Sequence, residues 1–442
     1  MIPSHSNWHR QSKGMMNMLK QSLMGLALAT ALSTAAHAES VNILMEGVPD
    51  TEYVKALLPE FTKETGIEVN LEVVNYAEMH TKLVPQLVAP TGSYSAIVVD
   101  FYWVGEFTKA GWLQPLDDRI KADGFDTSVY VPKLMDLVGQ VDGVTYMLPF
   151  YNYAMGLLYR TDLLADEQNK ADYLAATGEE LGPPKTWGEY LQQVKFFTKG
   201  DMKGVVNQGL RPDPIAMEWS NYLFANGGEY HDADWHATLN NPAGIAALDQ
   251  YTTNVNEYGP LGSASFSFDE AFNVMAQGGA YSYITYNFFR AAIDDPSKSA
   301  VAGKVEIMPV PGQEPGVGAS LNGAWGWAIP KSSPNPDAAW TFLKWVESHE
   351  IAKQRALQGG SPTRVDVFDD ADVNAKYPYT GAMKDMLLTS HNFPVFTYTP
   401  QLVEVLGREL SLAVAGEKSS ADALATVETE MNELAKKDGK LK

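Results

Sequence analysis

Two carboxylates follow apolar segments near the start of the chain, and both are candidates for binding a hydroxylated ligand. An apolar run at 41–45 leads into Glu46, and a second run at 95–99 leads into Asp100. A carboxylate accepts hydrogen bonds from hydroxyl groups. The alternative for each is a charge at a helix N-terminus, where it interacts favourably with the helix dipole.

Aromatic residues beside Gly, Pro or Asn form a second group of candidates. They include Trp219, Tyr286, Phe288, Trp325 and Tyr398. Sugars and polyols present C–H faces that stack on rings and hydroxyls that need polar partners. A place in the core is the alternative for each ring. Trp325 is the favoured candidate, because Gly323 and Gly326 leave its indole without bulky neighbours.

The elements that must position these side chains begin with a βαβαβ pattern. Strands are predicted at 41–45, 67–73 and 95–100, with a helix capped by Thr51 and ended by Gly66, and another helix at 76–88. This order implies a parallel sheet with helices on both faces. Ligands bind such sheets beyond the carboxyl ends of the strands, where Glu46 and Asp100 lie.

The segment 142–160 no longer alternates between strand and helix patterns, and it predicts a crossover between two domains. It is a long extended stretch with Pro149 inside, which is unsuited to the centre of one sheet. Helices are predicted after it at 186–197, 215–226 and 243–258 and, nearer the C-terminus, from 336 and at 421–436. The region 161–286 therefore reads as a second α/β domain.

Composition excludes several classes of protein. The 442 residues contain no cysteine, which excludes disulfides, thiol nucleophiles and a lipid-anchored cysteine. A net charge of −21 argues against nucleic acid or an anionic membrane as the main partner. The length suits two domains.

Residues 1–38 have the order of a secretory signal peptide. Arg10, Lys13 and Lys20 precede an apolar run at 23–32, and Ala36-His37-Ala38 forms a small-x-small cleavage site. Cleavage is predicted after Ala38, which changes the net charge to −24 because three basic residues are removed. The prediction is an exported, periplasmic protein without a lipid anchor.

Motifs for several other chemistries are missing from the sequence. There is no Walker or dinucleotide Gly-rich loop and no Gly-x-Ser-x-Gly nucleophile elbow. The segment 231–236, HDADWH, is dense in metal-ligand types, but it is interpreted as a solvated turn after Gly227-Gly228. No cofactor, metal site or catalytic residue is predicted.

Several phrases resemble extracellular solute-binding proteins of ABC importers, family 1, which include the maltose-binding protein and receptors for other sugars and polyols. The phrases are PEFTKETGIEVNLEVV (59–74), DFYWVGEFTKAGWLQPLD (100–117), the segment 149–164, PKTWGEYL (184–191), GAWGWAIPKSSPNPDAAWTFLKWV (323–346) and GGSPTR (359–364). Their order and spacing cover most of the chain.

The resemblance implies an α/β fold of the type II periplasmic binding protein kind, with two lobes, a multi-segment hinge and a ligand cleft between the lobes. Residues 39–152 and 326–372 would form lobe 1, and 153–325 and 373–442 would form lobe 2. Crossings are expected near 150–155, 322–328 and 370–378. The implied ligand contacts are Glu46, Asp100, Asn152, Trp219, Phe288, Trp325 and Arg364, the last as a fork of donors or, alternatively, as a surface ion pair.

The leading hypothesis is a periplasmic receptor, expected to be a monomer, that captures a small carbohydrate or sugar alcohol by hinge closure and delivers it to the permease subunits of an ABC importer. The loops at 46–50, 151–153 and 217–222 differ from those of the maltose-binding protein, which favours a monosaccharide, polyol or small glycoside over a maltodextrin. Two alternatives stay open. One is a secreted hydrolase with a carboxylate pair in the cleft. The other is the same fold binding iron, through Tyr151 and Tyr153, or a polyamine.

Overall fold

The computed structural model describes residues 39–442 and contains two main sheets, each with its own helices. The predicted signal peptide and its cleavage site, within 1–38, lie outside the described residues. No helix among the described residues has both the length and the apolar character that crossing a membrane requires.

The first sheet has the strand order β2-β1-β3-β11-β6. Its strands are β1 Ser40–Glu46, β2 Glu68–Val74, β3 Ala96–Asp100, β6 Met147–Asn152 and β11 Ala324–Ala328. A separate two-stranded hairpin, β4 Gln140–Val141 and β5 Val144–Thr145, precedes β6 in the chain. The helices that belong with this part of the chain are α1 Pro49–Thr65, α2 Tyr76–Val88, α3 Phe101–Lys109 and α4 Asp117–Asp123.

The second sheet has the strand order β10-β7-β9-β8. Its strands are β7 Met155–Arg160, β8 Lys203–Val206, β9 Ala280–Tyr286 and β10 Val305–Met308. The helices along this part of the chain are α5 Thr161–Ala165, α6 Glu167–Thr177, α7 Trp187–Phe197, α8 Asp213–Ala225, α9 Pro242–Thr253, α10 Phe268–Ala276 and α11 Phe289–Ile293.

The C-terminal quarter adds helices to both parts. They are α12 Pro336–Val346, α13 His349–Leu357, α14 Val365–Phe368, α15 Ala371–Lys376, α16 Thr380–Leu388, α17 Thr399–Val414 and α18 Ser420–Asp438. Helices α12 and α13 pack near β1 and α1, whereas α16 packs on β7 and β10. Helix α17 contacts α8 and also α3, so the C-terminal region joins the two parts.

The predicted βαβαβ start is confirmed, with parallel pairing of β1 with β2 and with β3. Gly66 ends α1 with φ of 74°, the left-handed conformation that glycine adopts at low cost. The predicted start at Thr51 is wrong, because α1 begins at Pro49, whose fixed φ suits a first helical turn. The Thr51 hydroxyl instead donates to the Glu46 carbonyl at 2.6 Å.

The crossover predicted at 142–160 is also confirmed. The chain leaves the first sheet at Asn152 and enters the second at Met155. Pro149 lies on the edge strand β6, where the pairing with β11 shifts register between Trp325 and Gly326. A proline is tolerated at such a position because no regular ladder hydrogen bond is required there.

Strand β11 returns from the second part of the chain and inserts antiparallel between β3 and β6. The first sheet is therefore mixed, although its first three strands are parallel. The lobe boundary proposed between residues 325 and 326 falls inside this strand. The insertion sets Trp325 directly opposite Asp100 of β3 and next to Tyr151 of β6.

Candidate functional site

A cavity of about 140 Å³ lies between the two lobes, at the carboxyl ends of β1 and β3. Residues from both lobes line it, and carboxylates and aromatic rings dominate. The lining consists of Glu46, Val48, Tyr76, Asp100, Phe101, Tyr102, Tyr153, Asp213, Phe268, Tyr286, Phe288, Gly323, Ala324 and Trp325. This is the position at which open α/β sheets bind ligands.

Larger grooves occur elsewhere among the described residues. One of about 950 Å³ runs past Tyr53, Arg290 and Tyr377, and one of about 630 Å³ runs past Tyr146 and Phe396. Neither includes the carboxylates that end β1 and β3. The smaller cavity is the candidate site because both lobes contribute buried polar groups and rings to it.

Three carboxylates face this cavity. Glu46 is the last residue of β1, and Asp100 is the last residue of β3. Asp213 comes from the other lobe as the first residue of α8, where the positive end of the helix dipole favours a negative charge. Asp100 is only 3% exposed, and its Oδ1 accepts a bond from the backbone N–H of Tyr102 at 3.5 Å.

Burial perturbs the ionisation of all three groups. It raises the pKa of Glu46 to about 7, against the lowering effect of a hydrogen bond from Tyr151 and with the repulsion of Asp213 and Asp50. Burial also raises the pKa of Asp100 well above its usual range, with further repulsion from Asp213 and Glu46. The pKa of Asp213 is raised to about 6, mainly by burial.

Tyrosine hydroxyls hold the carboxylates in place. Tyr151 donates to Glu46 Oε2 at 3.0 Å, within the same lobe. Tyr102 donates to Asp213 Oδ1 at 3.2 Å, which joins the two lobes across the cavity. Hydrogen bonds to an ionised acceptor are stronger than neutral ones, so these contacts fix the orientation of the acceptors that a ligand would meet.

Aromatic rings form the apolar walls. The Trp325 indole is 5% exposed and meets Tyr76 edge-on, with ring centroids 6.0 Å apart. On the other lobe, Tyr286 and Phe288 lie nearly parallel, 12° apart in plane and 6.2 Å between centroids. A ligand in the cavity is therefore flanked by rings from both lobes.

The structure brings together four of the seven sequence-predicted site residues, namely Glu46, Asp100, Phe288 and Trp325. Gly323 and Gly326 were expected to leave the Trp325 indole without bulky neighbours, but the structure shows a different reason for them. A Cβ at Gly323 would lie 2.9 Å from the Tyr153 carbonyl, and one at Gly326 would lie 2.9 Å from the Met147 Cβ. These glycines allow close approach of neighbouring backbone and do not open space around the indole.

Asn152, Trp219 and Arg364 do not line the cavity. Asn152 is fully buried in the hinge, where its Nδ2 donates to the Pro362 carbonyl and its Oδ1 accepts from Asn287 at 2.6 Å. Trp219 is 0% exposed and packs edge-on against Tyr230, because α8 is buried on every side from Pro214 to Ala225.

Arg364 is occupied by other partners. Its Nε and Nη2 donate to Asp366 at 2.9 and 2.7 Å, and its Nη1 donates to the Glu347 carbonyl at 2.8 Å. The fork of donors expected for ligand hydroxyls is thus used within the protein. This placement agrees more closely with the alternative of an ion pair, in which the Arg364 side chain is buried and Asp366 is exposed.

Sequence reasoning did not assign Tyr76, Tyr102 and Asp213 to the site, and it considered Tyr286 only as a candidate ring and Tyr153 only as a possible iron ligand. Tyr102 lies two residues after Asp100, the last residue of β3, and Tyr286 is the last residue of β9, so position at or just after a strand end was a usable signal. The phrase Pro212-Asp213-Pro214 marks a helix start, which was a weaker signal for Asp213.

Known proteins share this architecture. The family model described as "Bacterial extracellular solute-binding protein" matches residues 47–353. A mannitol-binding protein of Pseudomonas aeruginosa is 25% identical over 93% of this chain and 96% of its own. A probable amino-acid ABC transporter periplasmic-binding protein of Sinorhizobium fredii is 23% identical over 87% of this chain and 86% of its own.

A solved structure is similar over nearly the whole described chain. It is an ABC transporter solute-binding protein from Agrobacterium radiobacter in complex with ribitol, 27% identical, with a TM-score of 0.78 over 90% of this chain and 98% of that one. The predicted two-lobed fold of the type II periplasmic binding protein kind is confirmed. With a family match that spans most of its length, the chain belongs to the bacterial extracellular solute-binding proteins, the ligand-capturing components of ABC importers.

Proposed function

We propose that this protein binds a small carbohydrate or sugar alcohol in the cavity between its lobes. The observation that carries the proposal is the combination of Glu46, Asp100 and Asp213 with aromatic walls in one cavity. Carboxylates accept hydrogen bonds from hydroxyl groups, and rings pack on C–H faces. A mannitol-binding relative and a ribitol complex of a similar protein support this ligand class.

The size of the cavity favours a ligand of monosaccharide size. Pockets for drug-sized ligands measure roughly 300–1,000 Å³, whereas this cavity measures about 140 Å³. The bond from Tyr102 to Asp213 also joins the two lobes beside the cavity. A maltodextrin is therefore not the expected ligand.

The direct ligand contacts are proposed to be Glu46, Asp100, Phe288 and Trp325, joined by Asp213 from the second lobe. Asn152 is proposed to act from the hinge, through its bonds to Pro362 and Asn287, without touching the ligand. Trp219 and Arg364 are proposed to stabilise their own lobes.

The protein is proposed to work as a periplasmic monomer that closes around its ligand and delivers it to the permease subunits of an ABC importer. Removal of residues 1–38 after Ala38 would release it into the periplasm. Mass spectrometry of the periplasmic form tests this step, since the first residue should be Glu39. A first residue elsewhere contradicts the proposed cleavage site.

Isothermal titration calorimetry of the mature protein with pentitols, hexitols and monosaccharides tests the ligand class. At least one of these compounds should bind with a defined stoichiometry of one. If none of them binds to protein whose folding has been verified by circular dichroism, the proposed ligand class is wrong.

The binding step is proposed to involve no chemical change in the ligand. A ligand recovered after long incubation should have an unchanged mass, and matched aryl glycosides should remain intact. Release of the aglycone by pure protein would instead support the hydrolase alternative, in which a carboxylate pair of the cavity acts on the substrate.

A further inference from the structure

The candidate cavity has an unbalanced charge. Its lining contains Glu46, Asp100 and Asp213, and none of the described lining residues is Lys, Arg or His. The charged groups that act on Glu46 are Asp213 and Asp50, and those that act on Asp100 are Asp213 and Glu46, all of them carboxylates. The charges of Asp213 and Glu46 therefore add to the effect of burial at this edge of the sheet, and Asp100 is subject to both.

Other buried carboxylates of this protein have an arginine nearby. Glu347 is 0% exposed, and its Oε1 accepts from Arg355 Nη2 at 2.8 Å. Arg355 also acts on Asp50, where its charge opposes the effect of burial. For Glu347 and Asp50 the protein thus supplies a cation.

Glu218 differs from both cases. It is fully buried without a cation, but it stands alone and accepts bonds from the Gln208 N–H at 2.7 Å and from Asn207 Nδ2 at 2.6 Å. Burial raises its pKa to about 8, against the lowering effect of these hydrogen bonds. The cavity instead gathers three carboxylates in one space.

We propose that the preferred ligand is a polyhydroxylated molecule bearing a protonated amine, such as an amino alditol or amino sugar, whose ammonium group meets Asp213 and Glu46. This inference rests on the proposed function, because it assigns a charge to the ligand of the same cavity. An ammonium offers three donors, and its bonds to carboxylates are charge-assisted.

The aromatic walls suit the same group. Tyr76, Tyr286, Phe288 and Trp325 line the cavity, and ring faces attract a cation within about 6 Å. A ligand with a carboxylate or phosphate would meet only like charge from the ionised side chains. The cavity should therefore rank ligands of equal size as amine first, neutral second and acid last.

Calorimetry at pH 7.5 with three matched compounds tests this ranking on the mature chain. Sorbitol, 1-amino-1-deoxysorbitol and gluconate share a carbon chain and differ at one end. Mannitol and galactitol with their 1-amino-1-deoxy counterparts cover two other stereochemistries. The amine should bind at least about tenfold tighter than its neutral parent, and gluconate should not bind measurably.

The variant Asp213→Asn has nearly the same shape and removes one charge. It should weaken binding of the amine several-fold more than binding of the neutral parent, which loses only one hydrogen-bond acceptor. Asp269→Asn is the matched control, since Asp269 is an exposed carboxylate next to Phe268 of the cavity. The control should keep the wild-type preference.

The outcomes separate this inference from the proposed function. If neutral polyols bind as tightly as their amines, the inference is wrong and the proposed function stands. If the amine is preferred equally by wild type, Asp213→Asn and Glu46→Gln, the cavity carboxylates do not cause the preference and the inference is again wrong. Binding of spermidine without binding of any polyol or amino polyol overturns both.

Discussion

Ionisation of Glu46 should destabilise the ligand-free protein, and the structure allows the size of this effect to be worked out. Burial and the neighbouring Asp213 and Asp50 raise the pKa of Glu46 from 4.5 to about 7. Each pKa unit between the folded and unfolded states corresponds to about 1.4 kcal/mol of unfolding free energy, so the full effect of Glu46 is about 3 kcal/mol.

The direction of this effect follows from the protons bound by each state. Below about pH 4.5 the Glu46 carboxyl is protonated in both states and has no effect. Between about pH 4.5 and 7 the unfolded chain has lost this proton, while the folded chain keeps it. The free energy of unfolding therefore falls as the pH rises through this window, and the penalty is complete above about pH 7.

The variant Glu46→Gln should remove this penalty. Glutamine cannot ionise, and its side-chain oxygen still accepts the bond from the Tyr151 hydroxyl. Wild type and variant should respond alike to pH below about 4.5. From there to pH 8 the variant should gain up to about 3 kcal/mol relative to wild type.

Urea denaturation without ligand at pH 4, 5, 6, 7 and 8, followed by tryptophan fluorescence, measures this difference. Glu52→Gln is the control, because the Glu52 side chain is 62% exposed in a surface pair with Lys55 and should change little. If the free energy of unfolding of Glu46→Gln changes with pH in the same way as that of wild type from pH 5 to pH 8, ionisation of Glu46 carries no penalty and the reasoning is refuted.

Three further substitutions distinguish ligand contacts from residues that support the fold. Trp325→Ala should weaken ligand binding by about 1–3 kcal/mol in calorimetry, whereas Trp219→Phe should lower the melting temperature and leave affinity unchanged; equal affinity losses would contradict this division. Tyr102→Phe removes the donor to Asp213, so ligand should dissociate about tenfold faster in stopped-flow measurements; an unchanged rate would show that the inter-lobe bond does not retain ligand. Arg364→Ala should cost about 1–3 kcal/mol of stability through its lost bonds, with affinity preserved in calorimetry; a loss of affinity at full stability would return Arg364 to the site.

The first third of the fold could be predicted because its signals are local. Apolar and polar residues alternate along β2, which predicts a strand. In α1, apolar residues recur at helical spacing, and the helix runs from Pro49 to the terminating Gly66. The insertion of β11 beside β3 has no such signal, because its pairing joins residues more than 200 positions apart. Sequence periodicity indicates that a strand forms and does not identify its partner.

The site residues also fall into those that local sequence patterns predict and those that only tertiary packing brings to the cavity. Glu46 and Asp100 were predictable because each ends a strand of one parallel sheet, which brings them to a common edge. Asp213 comes from a helix start in the other lobe, and only the packing of the lobes brings it to the cavity. Trp219 could not be placed from the sequence, because α8 is buried on every side and its pattern does not distinguish a core ring from a binding ring.

The choice of tyrosine as the partner of the cavity carboxylates has a consequence for recognition. An arginine would orient a carboxylate and also neutralise it, as Arg355 does for Glu347. The hydroxyls of Tyr151 and Tyr102 orient Glu46 and Asp213 but add no positive charge. The remaining lone pairs stay available, and the charge is uncompensated until a ligand arrives. Such carboxylates are held in position at a cost to the free protein, and a donor-rich ligand recovers that cost on binding.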